Sequence, residues 1–105
     1  YKTVRGDSPP REYVQNLDTP ERAKVIRTLA LLRDLGTAIG MPHAKHLTGT
    51  DLWELRPDAH RLIYVAVAGR RFFVLHAFRK TSSRTRDKDI AVALSRRDDL
   101  LRRLG

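Results

Sequence analysis

Apolar residues recur along this chain at two periods, and the change from one to the other divides it. Val25, Ile26, Leu29, Leu32 and Leu35 stand three or four positions apart, which places them on one face of a helix. A start signal precedes them. Thr19 is placed to cap, Pro20 fits a first turn where its missing N–H is no loss, and Glu21 favours the positive end of the helix dipole. Gly36 is placed to end the run, so the pattern predicts a helix from about 20 to 35. Ser8-Pro9 gives a similar start for a shorter helix ending near Leu17, and Tyr1 to Val4 reads as a short opening strand before a turn at Arg5-Gly6-Asp7.

Residues 36–50 are rich in glycine and read as a loop packed by Ile39, Met41 and Leu47. The period then falls to two. Trp53 and Leu55 share one face of a strand, and Leu52, Glu54 and Arg56 share the other. Pro57-Asp58 marks a turn. Arg61 to Ala68 is apolar on both faces, as a central strand requires, and Ala68-Gly69-Arg70 reads as a hairpin turn into a further buried strand, Phe72 to Phe78. In that strand His76 is expected to share a face with Val74, Phe78 and Lys80. The run 79–86 has no apolar residue and cannot lie in a core. Thr85 is placed to cap a last helix, with Asp87 in its first turn and Ile90, Leu94, Leu101 and Leu104 at helical spacings. The expected fold is α+β: a small antiparallel sheet covered on one face by two N-terminal helices, with a C-terminal helix.

Composition narrows the class. A chain of 105 residues, 41% hydrophobic and 31% charged, suits one globular domain over its whole length. There is no cysteine, which excludes disulfides, thiolate zinc sites and cysteine nucleophiles. No apolar run is long enough to cross a bilayer and no signal-peptide pattern appears, so a cytoplasmic setting without membrane contact is expected. The net charge is +9 and is skewed: residues 1–55 hold 8 Lys/Arg against 7 Asp/Glu, whereas residues 56–105 hold 13 against 5. Charge gathered in one half suits a polyanion such as nucleic acid, although solubility alone is the plainer explanation.

The order and spacing of three phrases carry a resemblance: Leu52-Trp53-Glu54-Leu55-Arg56, Arg61-Leu62-Ile63-Tyr64 and Leu75-His76-Ala77-Phe78-Arg79-Lys80-Thr81. Set behind two N-terminal helices, they resemble the HigB-type branch of the RelE/ParE toxin superfamily, over nearly the whole chain. The resemblance implies a RelE-like fold and the toxin of a type II toxin–antitoxin system. It implies an endoribonuclease that cleaves mRNA on the ribosome without metal or other cofactor. The attacking group would be the RNA's own 2′-OH, leaving a cyclic phosphate and a free 5′-OH. It implies as partners the ribosome and a cognate antitoxin, of the helix-turn-helix HigA type, that covers or distorts the basic rim. The ParE branch shares the fold but inhibits DNA gyrase, and a non-catalytic nucleic-acid-binding module is a third reading.

Transphosphorylation builds negative charge on phosphorane oxygens, and cations placed beforehand lower that barrier. Arg56, Arg61 and Lys80 lie near strand ends and would meet at one rim if their strands are neighbours; the resemblance points to the same three. Alternatively each is a solvated charge. Arg79, Arg84 and Arg86 extend the patch, and His60, beside Arg61 on a turn, is placed to contact RNA. Glu54 stands where some relatives carry lysine; it is either a general base or the partner of Arg56 or another cation. Lys80 among cations suits acid or base work. His76 is either a hydrogen-bonded structural histidine or a catalytic one. His43 and His46 have metal-like spacing but no third ligand, so no metal is expected. Trp53, Phe72, Phe73 and Phe78 read as core. Arg61→Ala and Lys80→Ala are each expected to relieve toxicity with the fold intact.

Overall fold

The computed structural model describes residues 1–3, 5–68 and 71–105. Helix α1 spans Pro9–Gln15 and α2 spans Thr19–Leu35, followed by a single 3₁₀ turn at Gly36–Ala38. Strands β1 (Ala44–His46), β2 (Leu52–Leu55), β3 (His60–Val67) and β4 (Arg71–Arg79) form an antiparallel sheet in sequential order, and α3 (Asp87–Leu104) closes the chain. The fold is the expected α+β arrangement of a small antiparallel sheet with N-terminal helices and a C-terminal helix.

Its differences from the sequence reading have local causes. Residues 1–3 form no strand; Thr3 N–H bonds back to the Asp7 carbonyl at 2.7 Å, closing a loop on itself. Val4 and the hairpin residues Gly69 and Arg70 lie outside the described residues. Strand β1 arises in what reads as loop, because three residues are too few to show a period and its pairing with β2 is made by backbone. In that segment Ile39 and Leu47 are buried as expected, but Met41 is exposed.

Asp18, not Thr19, caps α2: its Oδ1 accepts the Glu21 N–H at 3.0 Å, and the cap sits one residue ahead of the threonine. Removing such a cap costs about 1 kcal/mol, so Asp18→Ala should lower the urea-unfolding free energy by about that amount, while Thr19→Ala stays within about 0.5 kcal/mol. Equal losses from both would reassign the cap. Gly36 ends α2 with a φ of 55°, the left-handed conformation that favours glycine.

The sheet is covered on both faces. Val25 and Leu32 of α2 pack with Leu55, Leu62 and Tyr64 on one side, flanked by Val14 of α1. Ala93 and Leu100 of α3 pack with Leu52, Ile63, Val65 and Leu75 on the other. Strand β3 is therefore buried on both faces, which is why its sequence is apolar from Leu62 onward, after His60 and Arg61. Each fully buried Leu or Ile here is worth roughly 1.5–3 kcal/mol relative to an exposed one. In α3 the core positions are Ala93 and Leu100, with Ile90 and Leu94 beside them, while Leu101 and Leu104 are exposed. Trp53, which reads as core, is also exposed and lies against the His46 ring, centroids 4.9 Å apart.

A β-bulge shapes the far strand. Ile63 pairs with His76 but Tyr64 pairs with Val74, so Leu75 is an extra residue in β4. The alternation resets there. Val74 turns to the α1–α2 side, and Leu75, His76 and Phe78 turn to the α3 side. His76 thus does not share a face with Val74; a strict period of two places it with Val74 only because it cannot register the insertion.

Candidate active site

The site is built where β2, β3 and β4 present polar residues to the start of α3. Glu54 of β2 stands opposite Ile63 on the α3 side of the sheet and is 2% exposed. A carboxylate so far from water needs partners. It has them: Arg61 Nε lies 3.7 Å and Arg56 Nε 3.8 Å from its Oε1, and the Thr85 hydroxyl donates to its Oε2. Thr85 is therefore not the cap of α3. The residue at the cap is Arg86, whose side chain makes no capping bond.

Arg61 is fixed from a second direction. Its Nη1 donates to the carbonyls of Asp58 and His60, both at 2.8 Å. The tight turn after Pro57 makes this possible. Asp58 adopts a φ of 57°, a conformation Asp tolerates, within hydrogen-bond reach of the arginine that follows three residues later. Burial, and then the Arg56 charge, push the Arg61 guanidinium below its ordinary pKa, with Glu54 and Asp58 acting against them. It remains a cation, because arginine starts from so high a value.

Lys80 completes the group. Its backbone N–H reaches the Ala59 carbonyl at 2.7 Å, extending the β3–β4 pairing by one step. Its side chain is exposed and enters no ion pair among the described residues. Glu54, Arg61, Phe78, Lys80, Arg84 and Thr85 line one small recess. Arg56 also lines the neighbouring groove toward α2, so it stands between the two. Cations from three strand ends are thereby brought around one buried carboxylate.

The other expected residues divide. Arg84 and Arg86 border the recess; Arg84 pairs loosely with Asp87 at 3.4 Å, both side chains exposed, a contact worth little. Arg86 Nε donates to Asp89 Oδ2 at 3.2 Å. Asp89, buried in the first turn of α3, also meets His76 Nε2 at 2.8 Å, and the His76 ring stacks on Phe78. Glu54, Ile63 and His76 form one row across three strands, which sets the glutamate and histidine backbones about 10 Å apart at ordinary strand spacing.

Arg79 and His60 lie elsewhere. Opposite each other in register, they face the helices: Arg79 meets Glu21 at 3.1 Å, and so does His60 Nε2 at 3.2 Å. His60 is completely buried, with Nδ1 bonded to the Tyr13 hydroxyl at 2.7 Å, so it ties α1, α2 and β3 together and offers RNA no surface. It reads as a turn residue in sequence because His and Asp flank Ala59, yet it opens β3. His46 bonds to the Thr50 carbonyl, and no group of three His, Asp or Glu among the described residues is placed to hold a metal ion.

The sequence reading missed Thr85 and Asp89 as partners of Glu54 and His76. Only the packing of α3 brings them there. An acidic residue in the first turn is an ordinary helix feature and carries no pointer to a histidine on a strand.

No curated protein matches this chain. A family model does: that of phage-derived Gp49-like proteins (DUF891), over residues 12–98, from within α1 to near the end of α3. No helix among the described residues is long and apolar enough to cross a membrane. With most of its length matched, and with the α+β architecture described above, the chain belongs to the Gp49-like family of phage-derived proteins, a family of the RelE/HigB-like toxin type.

Proposed function

We propose that this chain is a HigB-type toxin, a single domain that acts as a ribosome-dependent mRNA endonuclease in the cytoplasm and is silenced by a helix-turn-helix antitoxin. The observation that supports this most is the meeting of Arg56, Arg61 and Lys80 around Glu54. A phosphodiester lying across the mouth of the recess would place its non-bridging oxygens toward Lys80 and the guanidinium edge of Arg61. Arg61 is held in place before the substrate arrives, so the charge developing in the transition state meets a donor there that needs no reorganisation, with the exposed Lys80 ammonium beside it.

In this reading the 2′-oxygen forms a bond to phosphorus as its proton passes to a base, and the bond from phosphorus to the 5′-oxygen breaks as that oxygen takes a proton. The products are a 2′,3′-cyclic phosphate and a free 5′-OH. Glu54, with both oxygens engaged, serves as the anchor of the guanidiniums rather than as the base. His76, oriented by Asp89, keeps Nδ1 free for proton transfer. The reaction draws on side chains alone.

Primer extension on a translated message after induced expression tests the proposal. Cuts phased with codons are expected, and only when ribosomes occupy the message. An intact message accompanied by stalled replication would overturn it in favour of gyrase inhibition.

A further inference from the structure

We propose that the groove between α2 and the β2–β3 turn seats a nucleotide next to the scissile phosphate, base inward; this rests on the nuclease reading above and gives its substrate a second foothold. The recess around Glu54 measures about 10 Å³, room for about one water. It can take a phosphate oxygen but no sugar or base, so the rest of the strand must lie outside it. The groove measures about 570 Å³, within the range of about 300–1,000 Å³ usual for small-ligand sites. Arg56 joins the two: its side chain lines the groove, and its Nε lies 3.8 Å from Glu54 Oε1. A cation facing both spaces is placed for the phosphate that links one nucleotide to the next.

The groove has the chemistry of a single nucleotide. Lys24, Arg27, Leu31 and Asp34 recur at spacings of three and four, so one stripe of α2 builds a whole wall. Leu31 and Ala30 on that side and Pro57 on the other supply apolar surface. His43 supplies an aromatic face. Its ring is exposed, and its carbonyl accepts the Arg56 N–H at 2.9 Å, which ties the loop before β1 to the end of β2. Single-stranded RNA is held in this way, by splayed bases stacked on aromatic rings or guanidinium planes.

The charge left over in the groove is positive. Both of its carboxylates are already matched, Asp58 with Lys24 at 3.3 Å and Asp34 with its neighbour Arg33 at 3.1 Å. Arg27 is exposed and enters no ion pair among the described residues, and Arg56 faces Glu54 only at 3.8 Å. Two arginines are thus available to a phosphodiester chain. A protein segment could meet the same cations, but it has no need to pass Arg56. An RNA strand crossing the recess does, and the groove is the space that Arg56 opens onto.

The probe is a defined mRNA on ribosomes, carrying a 2′-O-methyl group at the cut so that the nucleophile is blocked. In it 4-thiouridine replaces one nucleotide at a time on each side of the cut. Irradiation with the full chain bound should join one flanking position, and not its counterpart across the cut, to residues 24–34, 43 or 56–58. In an unblocked message, an abasic nucleotide at that position should slow single-turnover cleavage by the parent about 5–100-fold. The same lesion should cost the His43→Ala chain much less, because its stacking partner is already gone. Arg27→Ala should weaken the cross-link, whereas Arg11→Ala, which removes an equal charge from α1, should not. Arg27 and His43 are exposed, so melting curves of their variants should stay near that of the parent. Codon-phased cleavage with message cross-links wholly outside the groove overturns the subsite and leaves the nuclease reading standing. An abasic penalty of equal size in the parent and His43→Ala chains does the same. Cross-links from ribosomal RNA into these residues assign the groove to the ribosome and likewise overturn it. A chain that neither cleaves nor cross-links the message overturns both readings.

Discussion

Glu54→Ala should destabilise the protein by about 3–5 kcal/mol, the cost of leaving buried charge without its counter-ion. The carboxylate is 2% exposed and stands against two guanidiniums, of which Arg61 is itself only 7% exposed. Truncation removes the negative charge, leaves the Thr85 hydroxyl without its acceptor, and opens a void. For a chain of this size the melting temperature should fall on the order of 15–25 °C. Glu54→Gln should fall by less, since the amide oxygen still accepts from Thr85. Circular dichroism melts of the three proteins measure this. A Glu54→Ala melt within a few degrees of the parent would mean that water or the Asp58 and His60 carbonyls suffice for Arg61, and that Glu54 anchors nothing. The same cluster bears on the expectation that Arg61→Ala leaves the fold intact: that change frees two backbone carbonyls and removes one of the two guanidiniums facing Glu54, so lost toxicity in it reports stability as well as chemistry.

How much of this was legible beforehand depended on whether a feature was periodic. The helix at 20–35 and the strands from 52 to 78 were readable because each repeats its apolar signal several times. Strand β1 was not, since three residues contain no repeat. The bulge at Leu75 was invisible for a related reason: Phe72, Phe73, Val74 and Leu75 are all apolar, so an inserted position leaves no mark in the pattern, yet it decides which side His76 faces. Within the site, Arg56, Arg61 and Lys80 could be named from their strand-end positions, and Glu54 from the resemblance. Their mutual distances could not, because register and strand order are properties of pairing. Arg79 shows the limit most clearly. It adjoins Lys80 in sequence, and a strand sends neighbours to opposite faces, so one reaches the recess and the other reaches Glu21 on α2.

That alternation makes Lys80 the cleanest probe of the chemistry. Lys80→Ala should slow single-turnover cleavage of ribosome-bound mRNA by about 10²–10³-fold, the loss usual when one donor to a transition-state anion is removed. Unlike Arg61, its side chain is exposed and enters no ion pair among the described residues, so nothing buried is orphaned by its loss. The unfolding free energy should therefore stay within about 0.5 kcal/mol of the parent. Arg79→Ala, one residue away but on the helix side, should leave the cleavage rate near the parent value. The pair separates a phosphate-facing cation from general positive charge, since both variants lower the net charge by the same unit. If the two slow cleavage alike, the effect is long-range attraction of RNA, and it should vanish as salt screens it. A slow Lys80→Ala enzyme whose deficit persists at high salt, beside an unimpaired Arg79→Ala enzyme, would place the lysine at the scissile phosphate.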